Sequence, residues 1–127
     1  MKISYKINDR ALSAQSFIEL ANAVWARAYD ETATQSALAK TMNITAWIGD
    51  KLVGCVRILT DGVYFGTITE ILVLKEYRGQ GIGRELMRLV QENTPTKLYF
   101  VAQEGVEGFY EKVGCKRGMP SYTVDKK

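Results

Sequence analysis

Ile71-Leu72-Val73-Leu74-Lys75-Glu76-Tyr77-Arg78-Gly79-Gln80-Gly81-Ile82-Gly83 decides the fold. An apolar strand pattern runs straight into a glycine-rich turn, and the turn into a helix. Such a junction suits an anion, because the first helical amides lack intrahelical acceptors and the helix dipole favours negative charge there. Glycine also lets a backbone approach a phosphate without a Cβ clash. Two common phosphate binders do not fit. A P-loop places Lys and then Ser or Thr after its last glycine, whereas Arg84 follows Gly83. A dinucleotide-binding fold puts the turn after the first strand of a βαβ unit, whereas three antiparallel strand patterns precede this one.

Downstream of the turn, Ile82, Leu86, Leu89, Val90 and Asn93 form one stripe of an amphipathic helix that Pro95 ends. Leu98–Ala102 then reads as a strand, and Gly105–Val113 as a helix stopped by Gly114. Ser121–Val124 reads as a short final strand. Upstream, Ile44–Ile48, Leu52–Thr60 and Val63–Leu74 form an antiparallel meander. Its separators are Gly49-Asp50-Lys51 and Asp61-Gly62, both of hairpin type. Gly66 inside the third pattern predicts a bulge or a close backbone approach. Alternation at Ile3, Tyr5 and Ile7 predicts a first strand. The spacing of Phe17, Leu20, Ala21, Val24 and Ala28 predicts a helix over 13–28, with Ser16 and Glu19 as a capping box. A short second helix is expected around Gln35–Lys40. The predicted order is β-α-(α)-β-β-β-α-β-α-β, an α+β domain over 1–127 with a mixed, mostly antiparallel sheet flanked by helices.

The quoted stretch resembles the acetyl-CoA-binding motif of the GNAT family of N-acetyltransferases. The family pattern Gln/Arg-x-x-Gly-x-Gly/Ala is matched by Arg78, Gly81 and Gly83. Phe109-Tyr110-Glu111-Lys112-Val113-Gly114-Cys115 is similar to a second family segment, Phe-Tyr-x-Lys-x-Gly-Phe. The two occur in the family's order, with one helix and one strand between them.

The resemblance implies roles. Amides of Gly79, Gln80, Gly81, Ile82, Gly83 and Arg84 would hold the CoA pyrophosphate. The backbone of Leu72 and Val73 would bond the pantetheine arm as an added strand. Gln103 stands where many members carry an asparagine near that arm, and Phe109 and Lys112 belong to the second segment. Tyr110 would protonate the departing thiolate. A phenol of ordinary pKa, about 10, can donate a proton at neutral pH, and the competing reading of Tyr110 is ordinary core. Glu70, just before Leu72, is the candidate general base; its alternatives are a solvated strand-face carboxylate or a water chain. Selectivity in the family comes largely from the first helices, here Trp25, Arg27, Tyr29, Asp30 and Glu31. The chain is short for the family, so its final strands are expected to be reduced, or completed by a partner subunit in a homodimer.

Composition bounds these readings. At 127 residues, 46% of them hydrophobic and 24% charged, the chain has the balance of a globular domain. No apolar run approaches the roughly 20 residues of a membrane helix. The start MKISYKIND lacks a signal-peptide core, so a cytoplasmic location with no membrane association is expected. Cys55 and Cys115 sit among apolar neighbours and read as buried thiols. With no histidine, Ser–His and Cys–His nucleophile schemes are excluded, and no metal site is expected. The net charge of +3 is dispersed without a basic run, so no nucleic-acid partner is expected. The expected activity is direct acetyl transfer from acetyl-CoA to a small-molecule or peptide amine in a ternary complex. The alternative is a non-catalytic acyl-CoA-binding module of the same fold.

Overall fold

A computed structural model of the protein describes residues 2–127. Met1, the first residue of the domain expected over 1–127, lies outside the described residues. Five strands form one sheet in the order β1-β2-β3-β4-β5. They are β1 Ser4–Lys6, β2 Met42–Ile48, β3 Lys51–Thr60, β4 Gly66–Val73 and β5 Leu98–Tyr99. All neighbours are antiparallel except β4 and β5, which run parallel. The helices are α1 Ala14–Val24, α2 Glu31–Lys40, α3 Ile82–Asn93 and α4 Glu107–Lys112. The mixed α+β architecture is therefore as the sequence predicts.

The helices take opposite faces of the sheet. A Cβ placed on Gly54 of β3 would lie 3.1 Å from Ile82 and 3.3 Å from Leu86, so this face carries α3. Cys55 and Arg57 lie on the opposite face of β3, and the Arg57 guanidinium lies 5.3 Å from the centre of the Phe17 ring of α1. α3 buries Ile82, Leu86, Met87, Leu89 and Val90 against the sheet, each worth roughly 1.5–3 kcal/mol for a fully buried side chain of this kind. Its solvent face is braced by Arg88, which donates to Glu85 at 2.7 and 2.6 Å and to Glu92 at 2.5 Å.

Several local expectations change. α1 is capped by Ser13, whose hydroxyl accepts from the Ser16 amide at 3.1 Å. Ser16 is therefore inside the first turn, and the Ser16–Glu19 capping box does not form. The helix also ends at Val24. Its Trp25 cap donates to the Ala21 carbonyl at 2.7 Å and leaves Ala28 outside. α2 begins earlier than expected because Asp30 caps it, accepting from the Ala33 amide at 2.7 Å. Asp30 is thus occupied in helix capping.

The first hairpin closes tightly, with Ile48 paired to Lys51 and Gly49 at φ +58. The second is longer. Thr60 pairs with Gly66, and Asp61 Oδ1 accepts the amides of Val63, Tyr64 and Phe65 at 2.8, 2.8 and 3.0 Å. These bonds consume the backbone donors that a strand from Val63 would have used. The expected close approach at Gly66 is present: a Cβ there would fall 2.6 Å from Leu98 and 2.7 Å from the Thr96 hydroxyl. The last predicted strand, Ser121–Val124, forms no ladder, and β5 stops at Tyr99. Ser121, Tyr122, Thr123 and Val124 are all exposed, so among the described residues no neighbouring strand or core face holds them.

Candidate functional site

The turn after β4 begins with a single helical turn of the tighter, three-residue kind at Lys75–Tyr77 and ends at Gly81, the cap of α3. Gly79 and Gly81 have φ +82 and +86. Both lie in the left-handed region that costs an L side chain roughly 1–2 kcal/mol. A Cβ built at either would meet nothing within 4 Å, so the conformation, not crowding, selects glycine here. Glu85 is the first residue of α3 whose amide bonds back along the helix, to the Gly81 carbonyl at 3.0 Å. The amides of Ile82, Gly83 and Arg84 are the helix's orphan donors. Together with the turn they form a concave donor surface of the kind that binds anions.

The register of β4 separates Leu72 from Val73. Leu74 donates to Val53 at 2.9 Å, and Leu72 is the partner of Cys55. Because antiparallel pairs alternate in direction, the backbone of Leu72 belongs to the β3 ladder, and the groups of Ile71 and Val73 point to the other edge. Ile71, whose backbone faces that edge, escapes sequence reasoning, because cross-strand register and not residue type sets the direction of each peptide group. β5 covers that edge only at Gly66 and Thr67, so among the described residues no strand pairs with it from Ile68 to Val73. Arg78 reaches back to it, its Nε donating to the Val73 carbonyl at 3.1 Å.

Tyr110 is half-buried on α4, with its ring edge-on to Phe100 and Phe109 at centroid distances of 4.9 and 5.1 Å. Burial raises its pKa above 10, and the neighbouring Cys115 thiol adds to the effect, so the phenol keeps its proton. Phe109 packs on α3: a Cβ on Gly83 would lie 3.2 Å from its ring. The glycine motif and the tyrosine segment therefore touch. A cavity of about 960 Å³ opens beside Tyr110, Thr67, Leu98 and Phe100. Gln103 and Lys112 are exposed, Gln103 in the β5–α4 loop and Lys112 on the last turn of α4. Another cavity, of about 740 Å³, lies between α1 and the first hairpin and includes neither Tyr110 nor the glycine turn.

Glu70 lies at a β-bulge. Arg57 partners Glu70 while Ile58 partners Ile68, leaving Thr69 as the extra residue. Bulges re-aim side chains and recur next to active sites. The Glu70 carboxylate accepts from Arg57 Nε at 2.7 Å and Nη2 at 2.9 Å, and from the Thr69 hydroxyl. Arg57 and Thr69 escaped sequence reasoning, because cross-strand register decides which residue faces Glu70. Cys55 is buried on the same face, and burial pushes its thiol pKa far up, so it is no nucleophile.

Comparison with known proteins agrees with this geometry. The family model described as an acetyltransferase (GNAT) domain matches residues 41–116. A Gibberella zeae protein that carries the acetyltransferase name is 45% identical over 40 residues, 32% of this chain and 23% of that protein. The chain thus spans about a quarter of that relative's length. A GNAT-family acetyltransferase from Streptococcus pneumoniae superposes with a TM-score of 0.82 at 22% identity, covering 99% of this chain and all of the other. An aminoglycoside N-acetyltransferase solved with CoA superposes at 0.75 with 11% identity, covering 99% of this chain and 95% of that one. Among the described residues no helix is long and apolar enough to cross a membrane. The family match takes in β2 to α4, the glycine turn and Tyr110 together: this chain belongs to the GNAT acetyltransferase family.

Proposed function

We propose that the chain, as one acetyltransferase domain over 1–127, moves an acetyl group from acetyl-CoA to an amine by direct attack. The open edge of β4 carries this reading. It leads from the donor-rich turn at Gly79–Arg84, along Val73 and Ile71, to the splayed end of β5. An extended amide-bearing arm can add to such an edge as a strand would. The turn's unpaired amides suit a pyrophosphate, and Arg78 and Arg84, both exposed beside them, add positive charge. Leu72 supports the arm from within the ladder, while Gln103, Phe109 and Lys112 belong to the segment that closes over it.

In the reaction the amine nitrogen forms a bond to the acetyl carbonyl carbon, and the carbon–sulfur bond breaks. The departing sulfur takes a proton from Tyr110, whose raised pKa keeps that proton available, and the phenolate regains one from the nitrogen, which sheds its second proton as the amide forms. The incoming ammonium loses a proton to Glu70, directly or through water, and the Arg57 pair fixes that carboxylate in place. Holding both reactants together supplies much of the acceleration. The acceptor is a small-molecule or peptide amine, and the location proposed is cytoplasmic.

Calorimetric titration with acetyl-CoA and CoA tests this, with Gly81→Glu as the control. Binding that the control abolishes, followed by thiol release with a panel of amines, is the expected result. A folded sample that binds neither ligand would overturn the proposal. Binding without thiol release for any amine would leave a non-catalytic acyl-CoA-binding module.

A further inference from the structure

Arg57 on β3 has its guanidinium fixed in two ways at once. One edge is spent on Glu70 of β4, with Nε donating to Oε2 at 2.7 Å and Nη2 to Oε1 at 2.9 Å. One face lies against the buried Phe17 ring of α1, 5.3 Å from its centre. A guanidinium carries five N–H donors in a fixed fork. Glu70 takes two of them, and among the described residues Nη1 and the second hydrogen of Nη2 bond nothing. No buried side-chain nitrogen or oxygen among those residues lacks a partner. Nη1 therefore opens to solvent, although the side chain as a whole is only 15% exposed.

Glu70 matches this free edge. Its Oε2 accepts from Arg57 and from the Thr69 hydroxyl, whereas Oε1 accepts from Arg57 Nη2 alone. A carboxylate oxygen has room for more than one donor, so Oε1 can take another. An acceptor oxygen and a free donor fork thus stand side by side, Oε1 and Nη2 being 2.9 Å apart. The pair is neutral as a whole and complementary to a zwitterion, which would set its ammonium on Oε1 and its carboxylate on the outer fork. Standard bond lengths place the nitrogen and a carboxylate oxygen of an α-amino acid about 3 Å apart, the same spacing. Ring and ion pair hold the fork in advance, so little side-chain freedom is lost on binding. A simple amine would leave the fork unanswered, and a diamine would bring a second cation beside the guanidinium. A peptide N-terminus carries a neutral amide where the carboxylate would be.

We propose that the acceptor is a free α-amino acid, with its amine on Glu70 and its carboxylate on the outer edge of Arg57. This rests on the reading of Glu70 as the group that takes the amine proton. It narrows the acceptor from amines at large to those bearing a carboxylate on the adjacent carbon. Arg57 is then a specificity-determining residue, because it binds the part of the acceptor that does not react. Holding that carboxylate sets the nitrogen beside the base that must deprotonate it.

The test takes the free amino acids, each beside its own primary amide, with the full chain. Thiol release from acetyl-CoA gives kcat/KM for each pair, and calorimetry gives the affinity of each for the protein with and without CoA. The amide's amine is the less basic of the two, so intrinsic reactivity at neutral pH favours the amide, and a preference for the acid reports recognition. The expected result is a kcat/KM higher for the acid by about 10–100-fold in at least one pair, the range of a hydrogen bond to a charged group. Arg57→Lys keeps a cation for Glu70 but loses the fork, so the acid-to-amide ratio should collapse toward unity, chiefly through KM. A loss of stability alone would not move that ratio. Equal values for acid and amide in every pair would overturn the proposal, as would a preference that survives Arg57→Lys. If that variant does not fold, the wild-type ratio decides. Thiol release with peptides or diamines but with no amino acid removes this inference and leaves acetyl transfer standing. Failure to bind CoA is a failure of acetyl transfer itself, and the titrations without CoA then still judge the Arg57–Glu70 receptor.

Discussion

Both carboxylate oxygens of Glu70 are held by the guanidinium of Arg57, at 2.7 Å from Nε and 2.9 Å from Nη2. The pair spans β3 and β4 beside the Thr69 bulge, with side-chain exposures of 15% for Arg57 and 19% for Glu70. Being mostly withdrawn from water, it is costly to break from one side. Arg57→Ala is expected to lower unfolding stability by about 2 kcal/mol, since it strands a carboxylate that loses two charge-assisted bonds. Chemical denaturation measures this, and Glu70→Gln in the same assay apportions the loss between the partners. If Glu70 takes the amine proton, Glu70→Gln also lowers kcat by about 10²–10⁴ with little change in acetyl-CoA affinity.

Gly83 joins α3 to α4 through Phe109. Gly→Ala inside a helix ordinarily stabilises by about 0.5–1 kcal/mol. Here the added methyl would press on the Phe109 ring at 3.2–3.3 Å, so the ring must give way by a few tenths of an ångström. Gly83→Ala is therefore expected to leave stability nearly unchanged in the wild type, and to raise it by about 0.5–1 kcal/mol in a Phe109→Ala background. A gain of equal size in both backgrounds would show that the contact is immaterial.

At Gly66 there is no such balance. A Cβ would fall 2.6 Å from Leu98, 2.7 Å from Thr96 and 3.0 Å from Thr60, where β4 and β5 come together. Gly66→Ala should destabilise by about 1–3 kcal/mol, the range for forcing extra volume into a packed site. Thermal unfolding reads the loss, and faster exchange of the Leu98 and Tyr99 amides would locate it.

The Tyr110 phenol is held protonated beyond its ordinary pKa of 10 by burial first and the Cys115 thiol second. Its folded pKa is raised, so its contribution to stability is fully present below pH 10 and is lost as pH rises through the folded value. Turnover should accordingly show no alkaline loss from this group below about pH 10. Tyr110→Phe should lower kcat more than acetyl-CoA affinity and remove that high-pH limb. A loss confined to melting temperature would instead assign Tyr110 to packing.

Much of this was legible from residues in a row. A strand entering Gly79-Gln80-Gly81-Ile82-Gly83 and then an amphipathic helix can fold locally in few ways. The positive φ of Gly79 and Gly81, and the buried stripe of Ile82, Leu86, Leu89 and Val90, follow from residue type and a 3.6-residue period. The same holds for the meander and for α4, whose aromatic face is set by sequence spacing alone. What tertiary structure decided depends on residues far apart in the chain. Leu72 turned inward and Ile71 outward because the bulge and the β3 register set the direction of each peptide group. Glu70 found Arg57 across that same ladder. Ser121–Val124 has the alternation of a strand but no ladder, because alternation says which side chains share a face and cannot supply the neighbouring strand that would bond the backbone.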